Sequence, residues 1–349
     1  MNIQTKQIGI VRDEPIYSYT LENDQHMQLA CLNLGCIVTE IIVPDKNGNY
    51  ENVVLGFNTA EEYLRNKTYF GALVGRVAGR IGGAEFSLNG EDYTVTANEG
   101  KNHLHGGAAG LSEKVWKART FIEENQVGVE FTVISEDGEE GYPGNVQFTV
   151  TYILTNDNEW IFKCHATTDK PTLVNVTNHS YFNLSGNGKN TIVDHELTIN
   201  SNQFLELSKE LLPTGNRIPV EGTVFDLRKG RRIREAIESD HPQIALVGKG
   251  FDHPFILEKD GIIQLSDPES GRKMEVETNQ NCVIVYTTNQ VQEGSLCIKE
   301  GKKMERYLGI CLETQNYPDA IHHSDFPSIV LNPGETYEAV TTYRFGVQK

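Results

Sequence analysis

Hydrophobic and polar residues alternate with a period of two along much of the chain. In residues 146–155, valine, phenylalanine and tyrosine occupy the even positions as far as Tyr152, and Gln147, Thr149 and Thr151 occupy the odd ones. The same alternation recurs in residues 160–166 and 337–345. Successive side chains of a strand point to opposite faces of the sheet. The pattern therefore predicts many strands with one buried and one polar face.

Turn-forming sequences separate these segments, among them residues 45–48, 88–90 and 332–334. Helical patterns are short and few, the best at residues 59–66 and 231–239, and they do not alternate with strands as βαβ units do. The predicted fold class is all-β, a large and mainly antiparallel β-sandwich. No long linker or low-complexity segment interrupts the chain, which predicts a single domain over residues 1–349.

Charge argues against two classes of partner. The 349 residues include 31 Lys and Arg against 48 Asp and Glu, a net charge of −17 at pH 7. Nucleic-acid binding requires a basic surface, and anionic lipid repels a protein of this charge. No run of about 18 apolar residues is present to span a bilayer. We therefore expect neither a nucleic acid nor a membrane as partner.

The cysteines and the first residues suggest a cellular location. Residues 1–15 lack the apolar core of a secretory signal. The six cysteines form no CxxC motif and stand in apolar or strand-like surroundings, so we expect all of them to be reduced and buried. They are Cys31, Cys36, Cys164, Cys282, Cys297 and Cys311. Both features predict a cytoplasmic protein.

Several well-known catalytic motifs are absent. The chain has no GxGxxG motif between a strand and a helix, no GxxxxGK[ST] motif, no HExxH motif and no GxSxG motif. Nucleotide-binding, zinc-protease and α/β-hydrolase functions therefore have no support in the sequence.

Two polar, glycine-rich segments interrupt the alternation early in the chain. The first, residues 71–83, contains Arg76 and Arg80, which share a face if this segment is extended. Taken alone, the pair is better explained by a glycine-rich corner with solvated arginines, and contact with a ligand is the alternative. The second contains His103 and His105, and a His-x-His pair could chelate a metal. Without a third ligand the metal is the weaker interpretation, and an accidental surface pair is about as compatible.

A third segment, residues 176–186, brings together Asn178, His179 and Tyr181 beside aromatic residues. Directional donors and acceptors next to flat apolar surfaces are what a sugar-binding site needs. A histidine with satisfied hydrogen bonds in the core fits the same segment about equally well.

Two carboxylates stand in apolar surroundings. Glu313 follows the apolar residues 309–312, so it could end a strand partly buried, where a raised pKa would suit a general base. Asp252 is flanked by bulky residues in the sequence GFDHPF. The alternatives are a surface glutamate closing a strand and an ordinary loop carboxylate.

Eight motifs in series resemble the aldose 1-epimerase (galactose mutarotase) family. They are FGALVGRVAGRI, NHLHGG, GEEGYPG, VTNHSYFNLSG, FDLR, GFDHPF, CLETQNYPDA and LNPGETY, in this order. The resemblance extends from about Gly35 to the C-terminus. It implies a large antiparallel β-sandwich with an open cleft, and interconversion of the α and β anomers of free aldohexoses such as glucose and galactose without cofactor or metal.

The resemblance also implies roles for individual residues. Glu313 matches the family's general base and His179 its general acid. Arg80, His105 and Asp252 match residues that hold the sugar. The only partner implied is a small-molecule aldose, with monomer and homodimer both open.

Two positions depart from the family's pattern. Gly79 stands where the family often has Asn, and Ile284 where many members have Gln. Each change removes one possible hydrogen bond to the sugar. The alternatives to a mutarotase are a hexose-phosphate epimerase of the same superfamily and a non-catalytic sugar-binding sandwich.

Overall fold

The fold is that of a computed structural model, which describes residues 1–65, 67–259, 261–294 and 296–348. Strands in the first half of the chain are β1 (Asn2–Val11), β2 (Glu14–Glu22), β3 (Gln28–Leu32), β4 (Val38–Pro44), β5 (Tyr50–Asn52), β6 (Leu73–Val74), β7 (Arg80–Ile81), β8 (Glu85–Leu88), β9 (Glu91–Thr94), β10 (His103–Leu104), β11 (Lys117–Glu123), β12 (Gln126–Ser135), β13 (Val146–Thr155) and β14 (Glu159–Thr168). Those in the second half are β15 (Thr172–Leu173), β16 (Thr177–Asn178), β17 (Tyr181–Phe182), β18 (Glu196–Ile199), β19 (Gln203–Leu207), β20 (Pro213–Pro219), β21 (Arg231–Arg232), β22 (Asp252–Ile256), β23 (Ile263–Ser266), β24 (Arg272–Thr278), β25 (Cys282–Tyr286), β26 (Ile310–Gln315), β27 (Val330–Leu331) and β28 (Tyr337–Val347). The helices are α1 (Ala60–Arg65), α2 (Ile233–Ile237) and α3 (Pro242–Leu246).

Most strands belong to three larger sheets. Their strand orders are β1-β2-β3-β4-β5 in the first, β11-β12-β13-β14-β28-β24-β23-β18-β21 in the second and β17-β26-β25-β22-β19-β20 in the third. Neighbouring strands in these sheets run antiparallel, as in the register of β13 with β14. The all-β, antiparallel fold class is confirmed.

The alternating segments form the strands that their pattern predicts. Residues 146–155 form β13, whose even positions through Tyr152 are buried, and residues 160–166 and 337–345 lie within β14 and β28. The turn at residues 88–90 joins β8 to β9, with positive φ angles of 54° at Asn89 and 84° at Gly90. Two positive φ angles are the requirement of a type I′ hairpin turn.

The helices are shorter than their sequence patterns. The first predicted helix begins at Ala60 rather than at residue 59 and is described as far as Arg65; Asn66 lies outside the described residues. The second, predicted over residues 231–239, is preceded by the short strand β21 and covers only Ile233–Ile237. The pairing of β21 with β18 takes the first two residues into a sheet, a non-local contact that helical periodicity does not report.

The main core lies between the sheets. Its buried cluster draws Leu29 and Ile41 from the five-stranded sheet, Phe148 from the nine-stranded sheet, and Val285 and Leu312 from the six-stranded sheet, among others. A hydrogen bond of 2.7 Å between the hydroxyls of Thr314 and Thr341 links β26 to β28 inside this core. The inner face of the six-stranded sheet is therefore fixed against the nine-stranded sheet, and its other face is left for a site.

One expectation about the cysteines is wrong. All six are free thiols and five of them are buried, but Cys297 is exposed. It lies beside Ile298 in the segment that follows β25, where the chain leaves the sheet and no longer alternates between a core and a surface face. None of the described helices has the length and apolar character needed to cross a lipid bilayer.

A buried arginine ties the first sheet to the second. The Arg272 guanidinium donates to the backbone carbonyls of Val43, Leu184 and Asn49 and to the carboxylate of Glu51, at 2.8 to 3.3 Å. Its side chain is 1% exposed. Without Arg272, Glu51 would keep Lys189 as its partner, but the three carbonyls would lose this donor, and a buried polar group left without a partner costs about 1–3 kcal/mol.

We expect Arg272→Ala to lower the free energy of unfolding by about 2–4 kcal/mol, because buried carbonyls lose their donor, measured by urea denaturation. The control is Arg119→Ala, because Arg119 forms a solvent-exposed pair with Glu130 on β11 and β12. Exposed pairs contribute at most about 1 kcal/mol. Equal losses in the two variants would contradict the structural role of Arg272.

Candidate active site

The outer face of the six-stranded sheet forms the floor of a cleft. In β26, Leu312 and Thr314 point into the core, so the pleat turns Cys311, Glu313 and Gln315 to the opposite face. The register sets Ile284 beside Glu313. The cleft has a volume of about 270 Å³. Its lining residues include Tyr69, Gly79, Arg80, His105, His179, Tyr181, Asp252, Pro254, Ile284, Tyr286, Gln290, Glu313 and Gln315.

His179 lies between the short strands β16 and β17, against a turn at residues 68–72. Its backbone N–H donates to the carbonyl of Ala72 at 2.8 Å, and its own carbonyl accepts from Gly71 N–H at 3.0 Å. Tyr181 donates its hydroxyl to the carbonyl of Thr68 at 2.8 Å. The main chain around His179 is therefore held on both sides by the same turn.

The structure brings His179 and Glu313 into one pair. His179 Nε2 lies 3.5 Å from Glu313 Oε1, and both residues are 4% exposed. The rings of Tyr69 and Tyr181 lie nearly parallel to the imidazole, with centroid distances of 6.0 and 5.0 Å and interplanar angles of 27° and 23°. The Nε2 atom is the ring nitrogen next to the carboxylate.

Burial changes the proton affinity of both members of the pair. It raises the pKa of Glu313 well above the usual value for a carboxyl group, and the nearby Asp252 raises it further. Burial lowers the pKa of His179 to about 4. Both shifts favour the uncharged carboxylic acid and the uncharged imidazole, because burial disfavours every isolated charge. One proton shared between two such groups is the arrangement needed to take a proton from one atom of a ligand and give one to another.

Arg80 enters the cleft as part of an ion pair. Its Nε and Nη2 atoms donate to the two carboxylate oxygens of Glu99 at 2.6 and 2.7 Å. Asp252 lines the cleft as well, and burial raises its pKa to about 6 although the charge of Arg80 opposes that shift. The guanidinium of Arg80 thus interacts with two carboxyl groups: it is hydrogen-bonded to Glu99, and its charge acts on Asp252 in the cleft.

His105 faces His179 across the cleft. Its Nδ1 accepts from Gly79 N–H at 3.2 Å, and its ring centroid lies 5.2 Å from that of His179. Burial and the neighbouring His179 and Arg80 lower the pKa of His105 well below that of a free imidazole. An uncharged His105 with Nδ1 accepting carries its proton on Nε2, which makes it a hydrogen-bond donor there.

The first residue of each pair, Arg76 before Arg80 and His103 before His105, is structural. Arg76 is 2% exposed and donates to Ser135, Thr172 and the carbonyl of Pro143, away from the cleft. His103 is buried and bonds to the carbonyl of Thr96 and the hydroxyl of Tyr142. Neither lines the cleft.

The prediction that Asn178 binds the ligand is corrected by the structure. Its amide nitrogen donates to the Gly71 carbonyl and the Tyr152 hydroxyl, at 2.9 and 3.2 Å, and its oxygen accepts from the N–H and hydroxyl of Ser180. Asn178 precedes His179 in the chain, so its side chain takes the other face and is buried in the interior. It supports the backbone of His179 instead of lining the cleft.

Several lining residues were missed by the sequence reasoning. Gln315 could have been found by its spacing, because residues two apart on a strand share a face and Glu313 was already identified. Tyr69 carried no local signal. Its backbone has a positive φ of 57°, which is unusual for a bulky residue, and that conformation brings its ring beside both cleft histidines. Glu99, which pairs with Arg80 beside the cleft, carried no signal in the sequence for that pairing.

Three of these side chains form a possible metal-binding group. One ligand atom each of His105, His179 and Glu313 lies within 4.8 Å of the others. Two imidazoles and a carboxylate are a donor set that zinc accepts. Proton transfer by the pair would use His179 Nε2 and the Glu313 carboxylate, so an ion bound there would compete for the same atoms.

Comparisons with known proteins agree on one family. A family model described as Aldose 1-epimerase matches residues 17–344. The galactose mutarotase of Sus scrofa is 40% identical over 336 residues, covering 95% of this chain and 94% of the relative. The aldose 1-epimerase of Escherichia coli (strain K12) is 30% identical over 95% of this chain and 96% of its own. The crystal structure of galactose 1-epimerase from Lactobacillus acidophilus NCFM superposes with a TM-score of 0.89 at 30% identity, covering 100% of this chain and 99% of that one.

We expect dialysis against EDTA to leave the turnover rate unchanged, because the atoms that could hold a metal are those that the proton transfer would use. The measurement is anomer exchange before and after dialysis. Loss of activity on dialysis and its restoration by zinc would contradict this expectation.

We expect Arg80→Lys to lower kcat/KM by about tenfold or more, the effect of losing one charge-assisted hydrogen bond. A planar guanidinium can hold both oxygens of Glu99 while lining the cleft, and an ammonium group cannot. Arg76→Lys is the matched control, and it should reduce thermal stability more than sugar kinetics. Equal kinetic losses in two folded variants would remove the special role of Arg80.

Proposed function

The chain belongs to the aldose 1-epimerase family, and from this membership we propose that its cleft interconverts the α and β anomers of free aldohexoses such as glucose and galactose. The observation that carries the assignment of the chemistry is the buried pair of Glu313 and His179, 3.5 Å apart at the bottom of an open cleft. A ring-opening isomerisation needs one group that accepts a proton and one that donates a proton, at two neighbouring atoms of the sugar.

The proposed reaction uses the charged form of the pair, with Glu313 as carboxylate and His179 as imidazolium, which holds the same number of protons as the uncharged form. Glu313 accepts the proton of the anomeric hydroxyl while His179 Nε2 donates its proton to the ring oxygen, and the bond between the anomeric carbon and that oxygen breaks. The product is the open-chain aldehyde. Rotation about the bond between the first two carbons presents the other face of the carbonyl, and the two proton transfers then run in reverse to close the ring.

Burial supports the direction of this proton transfer. Ring opening converts a charged pair of enzyme groups into an uncharged pair, a carboxylic acid and a neutral imidazole. The raised pKa of Glu313 and the lowered pKa of His179 favour that uncharged pair in the cleft. The site thus offsets part of the cost of forming the open-chain sugar by relieving two buried charges.

The remaining cleft residues are proposed to hold the sugar. Arg80, His105 and Asp252 place one cation, one neutral imidazole and one carboxyl group around the pair. Tyr181 contributes a ring face rather than a free hydroxyl, because its hydroxyl already donates to Thr68. Ile284 and Pro254 supply an apolar patch on the floor, against which the C–H bonds of a pyranose can pack.

The charges around the cleft favour a free sugar over a sugar phosphate. The lysine and the arginine among the described lining residues, Lys67 and Arg80, are each engaged by a carboxylate, those of Glu113 and Glu99. A phosphate group would have to displace one of these carboxylates, in a protein whose net charge is already −17. This makes hexose-phosphate epimerisation the weaker alternative.

We propose that the protein is located in the cytoplasm, because its cysteines form no disulfide bonds. All six are free thiols, including the exposed Cys297. An oxidising compartment would act on an exposed thiol, whereas a reducing one preserves it.

Glu313→Gln separates an enzyme from a sugar-binding protein. The amide keeps the volume of the side chain but cannot accept the hydroxyl proton at neutral pH, so kcat should fall by about 10²–10⁴ while KM moves far less. His179→Asn should behave alike. The double variant should lose little beyond the worse single variant, because acid and base act as one unit.

The measurement is polarimetric kcat, with sugar affinity from calorimetry and circular dichroism as the test of folding. Glu130→Gln is the matched control, because Glu130 is a strand glutamate outside the cleft and paired with Arg119. Turnover of Glu313→Gln within about threefold of the parent, some 0.7 kcal/mol of barrier, would exclude Glu313 as the base. A parent protein that binds sugar without accelerating anomer exchange would establish the binding function instead.

A further inference from the structure

A buried thiol contacts the second nitrogen of the catalytic imidazole. Cys311 Sγ lies 3.5 Å from His179 Nδ1, and the cysteine is 0% exposed. Cys311 precedes Glu313 by two residues on β26, so both side chains emerge on the cleft face of the same strand. Its backbone pairs with Tyr181 on one side and Tyr286 on the other. The thiol is thus held in the sheet on both flanks.

The contacts of the His179 ring allow one orientation. Nε2 faces the Glu313 carboxylate and Nδ1 faces the Cys311 sulfur, while the rings of Tyr69 and Tyr181 lie nearly parallel to the imidazole. The edge of His105 closes a further side. Turning the ring over would put Cδ2 in the place of Nδ1 and Cε1 in the place of Nε2, so both nitrogens would lose these partners. The two nitrogens therefore have separate surroundings and can have separate tasks.

Proton transfer to the sugar places a condition on these nitrogens. If Nε2 gives its proton to the ring oxygen, the neutral imidazole that remains must carry its proton on Nδ1. A buried Nδ1–H group needs an acceptor, since an unpaired buried donor is costly. The sulfur of Cys311 lies 3.5 Å from Nδ1, within reach to accept its hydrogen as a weak neutral partner.

We propose that Cys311 is a positioning residue, whose sulfur accepts a hydrogen bond from His179 Nδ1–H. Neutral His179 then carries its proton on Nδ1, and the second proton of the imidazolium, which is the one given to the sugar, is on Nε2. The effect of this hydrogen bond on turnover rests on the proposed function. The tautomer of His179, by contrast, can be measured in the protein without sugar. The opposite arrangement, in which the thiol donates to Nδ1, would leave neutral His179 protonated on Nε2. That form could release a proton only by becoming an imidazolate, which is not a practical acid near neutral pH.

The first test reads the tautomer directly. In full-length protein labelled with ¹⁵N-histidine, two-bond proton–nitrogen correlations distinguish a protonated from an unprotonated ring nitrogen, and the His179→Asn spectrum identifies the His179 signals. We expect neutral His179 to carry its proton on Nδ1. A proton on Nε2 would overturn the proposal, whether or not the protein is active.

The second test changes the sulfur. Cys311→Ala removes the acceptor, and we expect a three- to tenfold lower kcat, little change in KM and loss of the single Nδ1–H tautomer, as fits the loss of one neutral hydrogen bond. Cys311→Ser restores an oxygen acceptor and should keep kcat within about threefold of the parent. The rescue separates hydrogen bonding from packing.

Cys282→Ala is the matched control, because Cys282 is a buried thiol on the neighbouring strand β25 and does not line the cleft. It should leave kcat and the tautomer unchanged. An unaltered tautomer and kcat in Cys311→Ala, or equal kinetic losses in Cys311→Ala and Cys282→Ala, would overturn the proposal. If the unmodified protein shows the Nδ1–H tautomer but does not accelerate anomer exchange, the proposed function is contradicted. The hydrogen bond between His179 and Cys311 would still be established.

Discussion

The candidate site depends on the antiparallel pairing of β22, β25 and β26. In a pleated strand every second side chain faces the same way, so one face of these strands joins the core and the other becomes the floor of the cleft. Leu312 and Val285 anchor the inner face, and Glu313 and Ile284 are thereby carried to the outer one. A slip of one residue would send Glu313 into the hydrophobic core and Leu312 into the cleft. The packing of the core therefore fixes where the carboxylate stands.

Burial in the cleft has opposite consequences for different groups. For Glu313 and His179 the low polarity favours uncharged forms, which suits groups that must exchange a proton. The guanidinium of Arg80 stays charged, and its two hydrogen bonds to the Glu99 carboxylate stabilise that charge. Asp252 lies between these cases, with its pKa raised to about 6 by burial and opposed by Arg80. One cleft thus holds a permanent cation beside groups whose charge can change.

In each of two similar residue pairs in the sequence, one residue has a structural role and the other lines the cleft. Arg76 and Arg80 lie in the same glycine-rich segment, yet Arg76 turns inward to carbonyls and hydroxyls from distant loops while Arg80 lines the cleft. His103 and His105 divide in the same way. Residue type and spacing did not distinguish the members, because their partners come from segments such as residues 135–143 that are far away in the chain.

The sequence by itself determined the strands, the antiparallel all-β class and the polar segments from which the site is assembled, because alternation and turn chemistry are local properties that each segment carries alone. The eight motifs in series identified the family, and the roles that they imply for Glu313 and His179 are part of the proposal. Only the tertiary structure decided that Asn178 supports the backbone, that the ring of Tyr69 lies nearly parallel to that of His179, and that Cys311 meets Nδ1 across 132 residues of chain. The reason is physical: periodicity tells which face of a strand a side chain takes, but what that face meets is set by non-local strand pairing and packing between sheets.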